Sequence, residues 1–207
     1  MIKLIPFGIR ELIRKLMFGS SPNTDIVKSL KKGKKKQLCL IDVGAETGYE
    51  SIVAGKNGFE VHAFEPDDRM FEKLNQNISS ENVKTISIYK KGIGIKDEVA
   101  TLYFGTTEGG RSSFIPNEKL DQSIKMELVR LDTFCSQNGI KPDYLKIDAE
   151  GVSFSALKSY DFSAFAPAFI LIEPDDDNEE EIKLHQVLNQ FIGAPSQVGK
   201  DIRIIDI

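Results

Sequence analysis

Leu38-Cys39-Leu40-Ile41-Asp42-Val43-Gly44-Ala45-Glu46-Thr47-Gly48 is an apolar run that ends abruptly in a glycine turn. A strand buried on both faces of a parallel sheet requires such a run. Cys39 to Val43 supplies it. Gly44 lets the backbone turn sharply and approach a ligand closely, and Gly48 lets the following helix pack near the strand. A second strand pattern closes at Phe64-Glu65-Pro66, which puts the Glu65 carboxylate 21 residues beyond Gly44. In open α/β sheets an acid about 20 residues past the glycine turn accepts hydrogen bonds from ribose hydroxyls. The pairing reads as a nucleoside-binding site; a tight strand-to-helix turn without a ligand is the plainer alternative.

Working outward from this stretch, strand and helix patterns alternate as a doubly wound sheet demands. The order expected is a strand at 38–43, a helix at about 49–57, a strand at 60–64, a helix at about 68–77 opened by Pro66, and a strand at 83–89. Segments 99–104 and 124–131 then read as extra strands around a glycine-rich loop, forming an antiparallel hairpin on the sheet edge. Strand 144–147, helix 152–160, strand 169–172, helix 179–191 and a final strand at 202–207 complete the pattern. The expected fold class is α/β, a doubly wound and mostly parallel sheet with an added antiparallel hairpin, spanning residues 37–207.

Residues 1–36 are different in character. Leu4, Ile5, Ile9, Leu12, Ile13, Leu16 and Met17 fall close to helical spacing, with Arg10, Arg14 and Lys15 on other faces. Ten Lys or Arg stand against Glu11 and Asp25 in this segment, net +8, which leaves 17 basic and 29 acidic residues, net −12, for positions 37–207. A basic amphipathic helical segment that covers the sheet is expected. Peripheral attachment to an anionic membrane surface is the alternative. The acidic body argues against a nucleic-acid partner, whose binding face would concentrate Lys and Arg. A hydrophobic fraction of 41% and a charged fraction of 28% suit a soluble globular chain. No stretch approaches the ~20 apolar residues of a membrane span, and the charges among the first residues do not suit a signal peptide. Cys39 and Cys135 are the only cysteines, so no disulfide framework is expected and a reducing cytoplasm is the default.

Ligands of open parallel sheets bind beyond the carboxyl ends of the strands. Those ends carry Asp42 and Glu46, Glu65 and Asp67, Asp148 and Glu150, and Glu173. A rim this acidic favours a cation over a bare phosphate. The glycine spacing agrees, because Gly44-x-x-x-Gly48 lacks the middle glycine that admits a pyrophosphate, and no phosphate-binding Gly-Lys-Ser/Thr loop occurs. S-adenosylmethionine has a ribose, an adenine and a sulfonium without a phosphate. It meets every one of these constraints.

The residues also resemble a known family, the FkbM-type methyltransferases, which bind S-adenosylmethionine on a Rossmann-like class I sheet. The matching pieces, in the family's order, are Asp42-Val43-Gly44-Ala45, Gly48-Tyr49, Phe64-Glu65-Pro66, Ser112-Ser113, Val129-Arg130-Leu131-Asp132 and Leu145-Lys146-Ile147-Asp148-Ala149-Glu150-Gly151. Two positions depart from the family, which usually has asparagine in place of Glu46 and a further acid in place of Ser153. The resemblance implies O-methyl transfer to hydroxyls of sugars, glycans, polysaccharides and glycosylated metabolites. It implies that Asp42, Gly44, Ala45, Glu46, Gly48 and Tyr49 shape the methionine end of the cofactor site. Glu65 with Pro66 would hold the ribose, Gly92 and Ile93 would lie near the adenine, and Asp148 would stand beside the sulfonium or the acceptor oxygen.

An alcohol is a poor nucleophile until it loses its proton, so two routes stand open. Asp148 or Glu150 acts as general base, or a divalent ion held by Asp148 and Glu173 lowers the hydroxyl pKa. Lys146 projects to the same face as Asp148, two residues on along a strand. As a buried ammonium it needs a partner, and Glu150 or Glu173 is the expected one, which gives Lys146 an organising role in the acidic cluster. Arg111, Ser112 and Ser113, in the loop from Gly105 to Ser113, are expected to meet a polyhydroxy acceptor together with Glu173. His62, inside a strand, and His185, on a charged helix, are not expected to act. The competing functions are a nicotinamide-dependent oxidoreductase and a non-catalytic module of a glycan-assembly complex.

Overall fold

The computed structural model describes residues 37–105, 112–116, 118, 120–149, 153–165, 167, 169–172, 196–198 and 202–206. The basic segment 1–36, Arg111, Glu150, Glu173 and the helix expected at 179–191 lie outside the described residues.

The first half of the fold runs β1 (Cys39–Val43), α1 (Tyr49–Lys56), β2 (Glu60–Phe64), α2 (Asp68–Glu81) and β3 (Ile86–Tyr89). Then come β4 (Gly92–Ile93), β5 (Glu98–Phe104), β6 (Ser112–Ser113), β7 (Gln122–Val129) and α3 (Leu131–Asn138). The last described elements are β8 (Tyr144–Ile147), α4 (Ser153–Lys158), β9 (Phe169–Ile172), β10 (Ser196–Val198) and β11 (Ile202–Asp206).

Seven strands make the main sheet, in the order β10-β11-β9-β8-β1-β2-β3. The run from β3 to β9 is parallel, and β11 reverses direction against β9 and β10. All five residues of β1 are buried, as expected for a central strand with a partner on each side. Its side chains alternate between two apolar layers. Ile41 and Val43 join Phe64, Leu145, Ile147 and Leu131 on one face, and Leu40 joins Ile52, Val61, Ala63 and Leu74 on the other. The order of strands places the ends of β1, β2 and β8 side by side.

The extra hairpin departs from its expected place. β5 and β7 do pair antiparallel, but they belong to a separate four-stranded sheet, β4-β7-β5-β6, not to an edge of the main one. The reason lies in β4, which leaves the edge strand β3 and pairs with β7 in parallel. A Cβ at Gly92 would lie 2.5 Å from Leu128, and one at Gly94 would lie 2.9 Å from it. A side chain at either position would have to displace Leu128. Other boundaries shift for local reasons. Helix α2 runs on to Glu81 because Ile78 is still buried, and it stops at Asn82 in a left-handed conformation. Strand β3 begins at Ile86 instead of 83, and β7 ends at Val129 because extended Arg130 caps α3, which starts at Leu131.

Candidate active site

A cleft of about 340 Å³ opens at the ends of β1, β2 and β8, within the ~300–1,000 Å³ of small-molecule sites. Its floor is Val43, Gly44, Phe64, Glu65, Asp148 and Ala149. Glu46 and Thr47 of the β1–α1 turn, with Met70 and Lys73 of α2, form one side. The second sheet supplies the facing wall through Gly92, Ile93, Leu102, Ser112, Ser113 and Phe114.

The turn is closely fitted. Gly44 has φ +76°, and a Cβ there would sit 1.7 Å from the carbonyl oxygen of Asp148. The Asp148 amide in turn donates to the Val43 carbonyl at 3.0 Å. The end of β8 and the turn after β1 therefore touch through bare backbone. Gly48, at φ +86°, begins α1 with Leu74 against its Cα.

Glu65 is buried, and both its oxygens are oriented by backbone donors. The Glu46 amide donates to Oε2 and the Asp67 amide to Oε1, each at 2.8 Å. Burial pushes the Glu65 carboxyl up to about 7 against the pull of those two hydrogen bonds, and neighbouring Asp67 and Glu46 add to the rise. A carboxylate has about four lone-pair sites. Two are taken here, which leaves capacity for a ribose diol in the cleft, so the donor set fits a nucleoside.

Asp42 does not line the cleft. It lies on the α1 face of β1, fully buried, and accepts hydrogen bonds from Ser51 Oγ at 2.6 Å and Lys146 Nζ at 2.9 Å. Lys146 sits directly across from it in the β1–β8 register. The same ammonium donates to the Gly44 carbonyl at 3.2 Å and lies 3.6 Å from Asp148 Oδ2. The partner of Lys146 among the described residues is thus Asp42, where Glu150 or Glu173 was expected. Burial opposes its charge, but Asp42 and then Asp148 outweigh burial and hold its pKa above the ordinary lysine value.

Of the sequence-derived residues, the cleft brings together Gly44, Glu46, Glu65, Pro66, Gly92, Ile93, Ser112, Ser113 and Asp148. Ala45 is buried beneath the turn, and Tyr49 is half-buried on α1. They shape the turn from outside the cavity. Asp67 caps α2 and is gripped by Arg69, whose Nη2 lies 2.6 Å from Oδ2. Ser153 is fully buried and bonds both the amide and the carbonyl of Ala149, knitting the chain after β8 to the start of α4. His62 is buried on β2, 3.0 Å from the Tyr89 hydroxyl and remote from the cleft wall. Among the described residues the rim is mixed in charge, with Lys73 and Lys91 lining it alongside Glu46, Glu65 and Asp148. Among the described residues, no group of three or more His, Cys, Asp or Glu is placed to hold a metal ion, and no helix is long and apolar enough to cross a membrane. The residues missed by sequence reasoning are Thr47, within the glycine turn itself, and Met70, Lys73, Lys91, Leu102 and Phe114. Helical spacing from Pro66 could have found the two on α2; Lys91, Leu102 and Phe114 depend on how the second sheet folds over.

A parallel sheet with one reversed strand, a glycine turn and a buried acid at the neighbouring strand end define a Rossmann-like α/β fold. The model of the methyltransferase FkbM domain matches residues 42–201, and the chain belongs to that family. Among solved structures, a ribosomal protein L11 methylase from Lactobacillus delbrueckii subsp. bulgaricus is similar with a TM-score of 0.52 at 15% identity, over 90% of this chain and 80% of that one. An rRNA methylase from Streptococcus thermophilus has a TM-score of 0.53 at 11% identity, over 90% and 95% of the two chains. Cofactor-bound Rv0187 from MTB has a TM-score of 0.51 at 11% identity, over 99% and 98%. These likenesses concern the fold. No curated protein matches the chain.

Proposed function

We propose that this chain transfers a methyl group from S-adenosylmethionine to a hydroxyl of a sugar, a glycan or a glycosylated metabolite. The observation that carries the reading is one cleft holding both a buried acid with oriented oxygens, Glu65, and a partly exposed acid, Asp148, whose side chain is 37% exposed. The cofactor, when bound, supplies an electrophilic methyl on a sulfonium. Glu65 accepts the ribose hydroxyls, the turn from Gly44 to Gly48 encloses the methionine end, and Gly92 and Ile93 form the wall beside the adenine. Asp148 takes the proton from the acceptor hydroxyl as general base. Alignment of donor and acceptor supplies the rest of the rate. Lys146 serves by fixing Asp148 and the Gly44 carbonyl. Ser112 and Ser113 offer hydroxyls to a polyhydroxy acceptor, with Arg111 next to them in the sequence. A divalent ion shared by Asp148 and Glu173 is the competing means of activating the hydroxyl, and transfer that survives exhaustive chelation removes it.

A thermal-shift panel tests the cofactor: S-adenosylhomocysteine raises the melting temperature and NAD does not. Mass spectrometry of glycans from cells with and without the protein tests the acceptor, through a difference of about 14 daltons per methyl. Stabilisation by NAD alone, or glycans of unchanged mass, overturns the respective half of the reading.

A further inference from the structure

The cleft has two walls of different origin, and one side chain crosses between them. Arg69, in the first turn of α2, forks onto Asp67 through Nε at 3.0 Å and Nη2 at 2.6 Å. Its remaining nitrogen, Nη1, donates to the carbonyl of Gly105 at 2.6 Å, and the guanidinium lies 4.7 Å from the centre of the Phe104 ring. Phe104 ends β5, and β5 pairs with β6 through Tyr103↔Ser113 and Phe104↔Ser112. Arg69 therefore holds the strand end that carries Ser112 and Ser113 into the cleft. On its other side it grips Asp67, whose amide donates to Glu65 Oε1. A continuous chain of contacts runs from Glu65 through Asp67 and Arg69 to Gly105.

Only a guanidinium makes all of these contacts at once. Its planar fork satisfies a carboxylate with two donors and still presents a third donor and a flat face, so a lysine retains the charge opposite Asp67 and loses the bridge. The helix cap itself does not depend on this side chain, because the Arg69 backbone amide supplies the bond to Asp67 Oδ1 at 2.9 Å.

We propose that Arg69 is a positioning residue that couples the Glu65 side of the cleft to its acceptor wall, so that nucleoside bound at Glu65 rigidifies Phe104, Gly105 and the Ser112-Ser113 strand. This rests on the cofactor reading above. Binding that orders a distant segment is paid for or rewarded in the same free energy as binding itself. The acceptor thus meets a fixed wall only after the cofactor has entered.

The test uses hydrogen exchange of the full chain with and without S-adenosylhomocysteine. In the native protein the ligand slows exchange about tenfold at Tyr103 to Gly105 and at Ser112 to Phe114. Arg69→Gln and Arg69→Lys both still bind S-adenosylhomocysteine by calorimetry, within about threefold of native affinity, yet the ligand no longer slows these amides. A merely electrostatic or structural role for Arg69 would be restored by lysine. Protection that persists in Arg69→Lys, or binding to the native protein without protection of these amides, overturns the coupling and leaves the cofactor reading intact. Absence of any binding to the native protein overturns both.

Discussion

Lys146 Nζ and Asp42 Oδ1 lie 2.9 Å apart on neighbouring strands, and both side chains are out of contact with solvent. Removing one partner of such a pair leaves an uncompensated buried charge at a cost of about 3–5 kcal/mol, whereas neutralising both is much milder. Lys146→Met is therefore expected to unfold at markedly lower urea. Adding Asp42→Asn, which still accepts from Ser51, restores most of that loss. Methyl transfer stays low in the double variant, because Asp148 has lost the ammonium beside it. Urea melts and activity measured on the same samples check this, and full activity in the double variant contradicts the positioning role.

Glu65 gives cofactor affinity a defined pH dependence. Its carboxyl titrates near 7, and ribose hydroxyls donate more strongly to an ionised acceptor than to a neutral one. Affinity for S-adenosylhomocysteine rises by about tenfold from pH 6 to pH 8 as the proton leaves. In the ligand-free protein the sign is reversed. The group's raised pKa stabilises the fold below the ordinary carboxylate range, and that contribution is lost as pH rises to about 7. Glu65→Gln flattens both profiles and weakens binding about tenfold or more, as calorimetry across pH will read.

Glu46 occupies a backbone conformation that suits other residues better. Its φ of 48° is left-handed, a region that asparagine and glycine tolerate at lower cost than glutamate. What it gives Glu65 is its amide, which any residue other than proline also has. Glu46→Asn should stabilise the protein by about 0.5–1 kcal/mol and leave the affinity for S-adenosylhomocysteine at least as high. A fall in melting temperature, or a loss of affinity, would show that the glutamate side chain holds the turn.

Asp148→Asn separates binding from chemistry. The side chain keeps its shape at the end of β8 but cannot take a proton, so methyl transfer falls by about 10²–10⁴-fold while S-adenosylhomocysteine affinity changes little. Retained turnover in this variant would move the base elsewhere, to Glu150 first.

Much of the main sheet was legible because double-sided burial leaves an unmistakable mark. Cys39–Val43, Glu60–Phe64, Tyr144–Ile147 and Phe169–Ile172 are short and mostly apolar, with at most two charged or polar residues each, and are closed by glycine, proline or acid. Two-residue β4 and β6 have no periodicity to read, and Ser196–Val198 is too short and polar to announce a strand. The site divides in the same way. Glu65 and Asp148 follow from the rule that ligands gather at strand ends, but the partner of Lys146 depends on which strand lies next to β8. That neighbour is β1, from 104 residues earlier, and sequence spacing does not reveal it. Arg69 was hidden for a related reason, since its second partner, Gly105, follows the last residue of a strand in another sheet.

The second sheet enters the chain between β3 and β8 and shares no ladder with the main sheet among the described residues. It behaves as a cassette. Residues from about Glu98 to Glu127 can diverge, or be grafted from a relative, while Gly92, Ile93 and Val129 stay with the main sheet, whose core Ile93 joins beside Val43 and Phe64. Such a scaffold allows one methyl-donor half to be fitted with many recognition halves, provided each graft keeps a carbonyl within reach of Arg69.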